Sequence, residues 1–336
     1  MAHRLLSTLS HVELLTPKLD QSVAFAREIL GLDVDKEVGE TVYMRCWGDY
    51  YRYSLALTAS DGIGLGHAGW RTEGPEELDQ AVSRLRAAGV QGEWFEDSWG
   101  HGPAYRYTGP GGHCQEIFWE VERAVAPAGE ESTYPDRPQR NPRRGAGARM
   151  LDHLTVTTPD VQAAAMWLRD RFGSRIMAAV EPAPGAPWVF CVTTNCEKAH
   201  DFGFVQDFEG KRGRMHHVAF WLETNHDLTE AATFIIEHGH QVDFGPGQHG
   251  IGEQNYLYFR DPVGLRYEMN SGGYRNYVPD WQPTIWRPED GSNNTYRTEL
   301  GMPAVFMVAI PPGAVGQGSE MIDTTGDSAE AALARS

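Results

Sequence analysis

The sequence is short of cysteine, of positive charge and of long apolar runs, and each shortage argues against a class of protein. Four cysteines in 336 residues (Cys46, Cys114, Cys191 and Cys196) include no CxxC pair. Neither a disulfide scaffold nor a zinc ribbon is expected, and a reducing cytoplasm is the expected compartment. Lysine and arginine number 29 against 46 aspartates and glutamates, a net charge of −17. So acidic a chain repels phosphate backbones and anionic headgroups, which argues against nucleic acid and membrane surfaces as partners. No stretch approaches the roughly 18–20 uninterrupted apolar residues of a membrane span. The opening Met1-Ala2-His3-Arg4 lacks the apolar core of a signal peptide. What is present, 41% hydrophobic and 22% charged residues, is enough to build globular cores. At roughly 150 residues per domain, the length suits two domains with chain to spare.

The chain is punctuated once. Residues 125–148 are rich in Pro, Gly and charge, have no apolar periodicity, and read as a connector between residues 1–124 and 149–280. Residues 281–336 read as an extension whose small, polar end is expected to be disordered. The two halves repeat each other. LSHVEL (9–14) precedes a helix begun near Asp20 and ended at Gly31; LDHLTV (151–156) precedes one begun at Asp160 and ended at Gly173. Short β-rich runs follow in each half, then a second Gly-terminated helix, then a closing turn and strand, GPGGHCQEIFWEV or DPVGLRYEM. That pattern is four βαβββ modules in two tandem homologous domains, an α+β fold with antiparallel-rich curved sheets.

Aligning the halves brings three residues into coincidence: His11 with His153, His67 with His217, and Glu116 with Glu268. Two histidines and a carboxylate from separate strands form the facial triad suited to non-haem Fe(II), holding one face of the ion and leaving the other open. With thirteen histidines in the chain, any one of them is more simply a surface or hydrogen-bonded core residue. The alternation of His153, His217 and Glu268 with apolar neighbours favours the site, because it points each to one face of a strand. Only the C-terminal half offers acid–base partners for such an ion. Tyr258 stands ten residues before Glu268, where Arg106 precedes Glu116, and the strand expected over 199–204 carries His200, whereas its N-terminal counterpart, 52–57, has no histidine. His11, His67 and Glu116 therefore read as relics of duplication whose present role is structural hydrogen bonding.

In order, LDHLTV, the HD-plus-apolar run at His200, GRMHHVAF, GPGQHG and YLYFRDPVGLRYE resemble the type I extradiol ring-cleavage dioxygenases. These are the catechol 2,3-dioxygenase-like members of the vicinal oxygen chelate superfamily, and the resemblance spans about residues 5–290. It implies Fe(II), less often Mn(II), on His153, His217 and Glu268, with dioxygen as cosubstrate. It also implies His200 as the acid–base residue, Tyr258 as a hydrogen-bond partner of a substrate oxygen, and His249 beside the catecholate. His216 would orient its neighbour. The reaction implied is cleavage beside the two hydroxyls, giving a 2-hydroxymuconic semialdehyde-type product, in a homo-oligomeric enzyme.

Family members that accept carboxylated catechols tend to carry arginine just before the GPG of the histidine loop; here Phe244 stands there. A carboxylate seeks an arginine fork, so Phe244 reads as an apolar wall suited to 3-alkyl- or 3-arylcatechols. Alternatively Phe244 is core, and Arg275, Arg287 or Arg297 supplies the charge. Two other activities use the same fold: a metal-dependent glyoxalase- or epimerase-like isomerase, which usually draws two glutamates from two modules, and a non-enzymatic aromatic-binding protein, usually a short single repeat.

Overall fold

The computed structural model describes residues 3–96, 98–290 and 302–312. In the N-terminal half, strand Leu6–Thr16 leads into helix Leu19–Phe25, which widens into a π-helical turn over Ala26–Leu30. It stops at Gly31, whose φ of 87° is a left-handed conformation that glycine adopts without steric cost. Strands Asp33–Val38, Thr41–Arg45 and Leu55–Ala59 complete the first βαβββ module. The second module runs from strand Gly64–Thr72 through helix Pro75–Ala87 to strands Gly92–Phe95, Ala104–Thr108 and Cys114–Phe118. The C-terminal half repeats both, from Met150–Thr158 to Phe202–Gln206 and from Met215–Trp221 to Arg266–Gly272. Asp160 caps its helix by accepting the Ala163 N–H at 2.8 Å. In the N-terminal half the cap position is Lys18, and Asp20 lies within the first turn, where it complements the helix dipole without capping.

Each half forms one sheet, of eight and nine strands. At each centre the first strands of the two modules pair antiparallel, and each is flanked by the last strand of its own module running parallel. The ninth strand, Thr284–Trp286, comes from the extension and pairs with Arg175–Val180. One continuous apolar core runs through both halves. Phe25 packs on Phe259 and Tyr267 (6.1 and 5.7 Å between centroids), and Trp70 meets Phe202 edge-on at 5.4 Å. Such aromatic contacts add specific geometry to burial, and the Ser22 hydroxyl donates across the same junction to Asp261 at 2.9 Å.

Residues 125–149 contain neither helix nor strand, yet they are not loosely draped. Gln139 is fully buried, accepts a hydrogen bond from the buried Arg45, and donates to Asp33 at 2.8 Å. A sequence signal for this docking is absent because the connector is anchored through polar groups. The polar end expected to be disordered, 316–336, and Arg297 lie outside the described residues.

Candidate metal centre

Three neighbouring strands carry the C-terminal triad: His153 on Met150–Thr158, His217 on Met215–Trp221 and Glu268 on Arg266–Gly272. Ala219 stands opposite both His153 and Glu268 in the register. Side chains alternate along a strand, so His217, two residues from Ala219, joins them on the same face. The two imidazole Nε2 atoms are 3.0 Å apart, and they lie 3.1 Å (His153) and 2.9 Å (His217) from Glu268 Oε2. Donors about 2.1 Å from an ion and at right angles to one another would be separated by about 3.0 Å, so the triangle has the size of one face of an octahedral site.

The hydrogen-bond network fixes which atoms face that point. His153 donates through Nδ1 to Asp152 Oδ2 at 2.8 Å, which leaves Nε2 with its lone pair. His216 donates through Nε2 to the Phe306 carbonyl at 2.8 Å and faces His217 Nδ1 with its own Nδ1 at 2.6 Å. That chain makes His217 Nδ1 the donor and leaves its Nε2 bare too. Glu268 Oε2 is buried without a hydrogen-bond donor. With both rings neutral, two lone pairs and a carboxylate oxygen face one point, and a divalent ion fits between them. This His-His-Glu arrangement is a divalent metal site. Asp152 is held by Gln254 (3.0 Å), Asn270 (2.8 Å) and Lys198 (3.4 Å), an outer shell of the kind that fixes ligand orientation. Burial works against a charged His153, but Glu268 and Asp152 outweigh it and raise its pKa to about 9, so a proton on Nε2 holds the place that a divalent ion would take from it. Burial lowers His217 to about 4, keeping it neutral.

The triad opens into a cavity of about 300 Å³, at the lower end of the range for small-molecule sites. His200, His249 and Tyr258 line it, with Val180, Val192, Phe190, Ile251, Phe306 and Met302 among its apolar walls. His200 lies beside His153, ring centroids 4.1 Å apart and planes tilted by 51°, and its buried Nδ1 has no hydrogen-bond partner. Burial and the neighbouring His153 hold His200 well below the usual histidine range, so the ring is neutral. Tyr258 OH lies 2.9 Å from His249 Nε2, and burial pushes the phenol well above its usual range, keeping it protonated.

The N-terminal counterparts also converge. His11 Nε2 is 3.1 Å from His67 Nε2 and 3.3 Å from Glu116 Oε1, with His67 Nε2 at 3.6 Å from the same oxygen. Here Arg106 pairs with Glu116 Oε2, and His101 Nε2 approaches Oε1 at 3.2 Å. Each triad takes one histidine from the first module of its half and a histidine and a glutamate from the second.

Residues 8–117 and 150–269 both match the Glyoxalase/Bleomycin resistance protein/Dioxygenase superfamily. The chain is 32% identical to a metapyrocatechase of Geobacillus stearothermophilus over 287 residues, 85% of this chain and 87% of that protein. It is 34% identical to a manganese-dependent 2,3-dihydroxybiphenyl 1,2-dioxygenase of Geobacillus genomosp. 3, over 83% of this chain and 90% of that protein. The chain is an extradiol dioxygenase of this superfamily. Its fold matches that of homoprotocatechuate 2,3-dioxygenase from Arthrobacter globiformis with a TM-score of 0.80 at 24% identity, over 91% of this chain and 92% of that one.

Several expected residues stand elsewhere in this dioxygenase. Phe244 does not line the cavity. It lies opposite Tyr258 in the strand register, stacks on Tyr256 at 4.9 Å, and is covered by Phe306, which stands between it and the ligand space. Arg275 pairs with Glu197 and Arg287 with Glu181, both away from the cavity. His200 is not on a strand: it sits two residues before Phe202–Gln206, in a turn that Asp201 ties down through the Asn195 N–H at 3.0 Å. Phe306 and Met302, from the extension, were not legible as cavity walls because they follow no periodic pattern. Asp152, adjacent to His153 in LDHLTV, offered the one local signal for the outer shell.

Proposed function

We propose that the chain cleaves a catechol ring beside its two hydroxyls, with both atoms of dioxygen entering a 2-hydroxymuconic semialdehyde-type product. His153, His217 and Glu268 would hold Fe(II), with Mn(II) as the alternative ion. When bound, that ion supplies Lewis-acid stabilisation of the catecholate and a path for electrons from ring to oxygen. The residues of the chain do the rest. Neutral His200, beside His153, accepts the proton a catechol hydroxyl loses and later returns it for O–O cleavage. Tyr258 donates a hydrogen bond to a substrate oxygen, and His249, 2.9 Å from the Tyr258 hydroxyl, orients it and flanks the ring. Phe306 and Met302 shut water out of the far wall.

The observation that carries this reading is the junction of an ion-sized donor triangle with a largely apolar cavity that contains His200. Among the described residues no lysine or arginine lines that cavity, which supports catechols bearing apolar 3-substituents. Four free cysteines fit a reducing cytoplasm, and sedimentation velocity tests the homo-oligomer. The direct test is an oxygen-electrode trace of protein reconstituted anaerobically with Fe(II) or Mn(II), given catechol and then 3-methylcatechol. Equimolar oxygen uptake with a yellow product is expected. No uptake with either ion refutes the reading.

A further inference from the structure

The second histidine of each triad offers its Nδ1 proton to a different partner, and in the C-terminal half that partner leads to the extension. In both halves one extra residue bulges from the strand just before that histidine, Gly66 before His67 and His216 before His217. In the N-terminal half Glu13 fills the space beside the bulge, so closely that a Cβ on Gly66 would lie 2.2 Å from Glu13 Oε2. The same oxygen accepts from His67 Nδ1 at 2.7 Å. Thr155 stands at the position of Glu13, two residues after its own first histidine. There the bulged residue itself supplies the partner, with His216 Nδ1 at 2.6 Å from His217 Nδ1. We propose that the segment 302–310 is a working part of the metal centre, its seating and the binding of the ion favouring each other through the relay Phe306 carbonyl, His216, His217. His216 is then a positioning residue, and the inference rests on the divalent site, not on the ring-cleavage reading.

A carbonyl oxygen only accepts, so His216 Nε2, 2.8 Å from that of Phe306, carries the proton of its ring. Burial and the neighbouring Arg266 keep the ring neutral, which leaves Nδ1 as an acceptor. His217 must therefore hold its own proton on Nδ1 and turn a lone pair on Nε2 toward Glu268. With the Phe306 carbonyl withdrawn, His216 can protonate on Nδ1 instead, and His217 is then driven to the tautomer whose Nε2 is blocked. The N-terminal half shows the alternative: burial opposes a charge on His67, but Glu116 and Glu13 raise it to about 9, so a carboxylate partner fills the triangle with a proton. The segment that supplies the Phe306 carbonyl is fastened on both sides of it. Arg266 and Arg260 donate to the Val305 carbonyl at 2.8 and 3.3 Å, and Met215 and Ile310 exchange backbone hydrogen bonds of 3.2 and 2.8 Å. The Phe306 ring meanwhile lines the cavity and packs edge-on against His216, 4.7 Å between centroids. One residue thus builds the wall with its ring and orients a metal ligand with its carbonyl, and such a coupling acts equally in both directions.

The test reads both directions without turnover. Backbone hydrogen exchange of residues 303–310 is followed by mass spectrometry with and without Mn(II), and Mn(II) affinity is measured by equilibrium dialysis. In wild type, Mn(II) should slow exchange of the segment at least about tenfold, and His217→Ala should abolish that effect. His216→Leu should bind Mn(II) roughly 10–100-fold more weakly, the usual cost of losing a partner behind a metal ligand. Even at saturating Mn(II), its segment should exchange at the metal-free rate. His216→Gln, whose amide can accept from His217 and donate to the carbonyl, should restore both readouts to within about threefold. Unchanged exchange in wild type on adding Mn(II) would overturn the linkage, and it decides the matter even if His216→Leu misfolds. Equal protection in wild type and His216→Leu would overturn the relay. So would a glutamine variant as weak as the leucine one, which would reduce His216 to filling space. Oxygen uptake by wild type with a catechol is independent of all these outcomes, so the proposed function stands or falls separately.

Discussion

Beside His153 stands His200, with ring centroids 4.1 Å apart; beside His11, at 4.6 Å, stands Tyr53. Opposite Glu268 in the strand register stands Tyr258, and opposite Glu116 stands Arg106. The donor triangles are alike, and their neighbours differ. In one half a turn carrying His200 and a segment carrying Phe306 leave a cavity of about 300 Å³ over the triangle. In the other, Arg106, His101, Tyr53 and Phe118 occupy the corresponding approach. Three donors on adjacent strands are a property of the repeated fold; the proposed reaction also needs an open face and a proton carrier, and the cavity and His200 accompany the C-terminal triangle.

The largest test of that contrast removes a donor from each half. His217→Ala is expected to lower ring cleavage by at least about 10⁴-fold, since a three-donor catalytic site has no spare ligand. His67→Ala is expected to keep turnover within about threefold where it folds, because His67 does not line the cavity over the C-terminal triad. Steady-state oxygen uptake, with circular dichroism to verify folding, reads both. Equal losses would mean that the halves share one catalytic centre.

The next largest effect concerns the two ring partners. His200→Phe keeps a ring beside His153 and removes the proposed proton carrier. Turnover should fall by roughly 10²–10⁴-fold, the usual worth of a general acid–base group, with metal content unchanged. Tyr53→Phe should change turnover by less than about twofold. A solvent-isotope or proton-inventory change confined to the His200 variant would tie the loss to proton delivery. An unchanged rate in His200→Phe would pass that role to His249 or Tyr258.

How far these features were legible follows from how local their causes are. The βαβββ repeat was legible because Gly31, Gly173 and the two later helix-ending glycines punctuate periodic apolar runs, and each triad residue sits at the same point of its module. The choice between His216 and His217 was legible only by resemblance. Its physical reason, the bond from His216 Nε2 to the Phe306 carbonyl, joins residues ninety positions apart. His101 escaped notice because it reaches Glu116 from the irregular connection between Gly92–Phe95 and Ala104–Thr108, the connection that carries His249 in the other half. The role given to Phe244 was misplaced for a similar reason: a position in a loop motif says nothing about a residue from the extension that covers it.

A third prediction contrasts the charge that fills one site with the apolar lining of the other. Homoprotocatechuate should be cleaved with a kcat/KM about 10²-fold below that of 3-methylcatechol. A carboxylate that enters an apolar wall loses hydration and gains no partner, and about 3 kcal/mol of that penalty suffices for such a ratio. Comparable efficiencies would show that a cation reaches the cavity, and Arg297, outside the described residues, would be the first to substitute.

The smallest expected effect separates the cavity wall from what stands behind it. Phe306 lines the ligand space and Phe244 packs on its far side, 5.0 Å between centroids. Phe306→Leu should alter the kcat/KM ratio between 3-phenylcatechol and catechol by about tenfold, because it reshapes the surface that a 3-substituent touches. Phe244→Leu should alter the same ratio by less than about threefold. Its consequence should appear as stability, a loss of about 1 kcal/mol from a size change in a packed aromatic layer, measured by denaturant unfolding of the metal-loaded protein. The comparison is sharp because both residues belong to one aromatic cluster with Tyr256 and Tyr258, so a general loosening would move both ratios together. If Phe244→Leu shifted selectivity as much as Phe306→Leu, the cavity would have to extend behind Phe306 when substrate is bound, and Phe244 would rejoin the residues that select it.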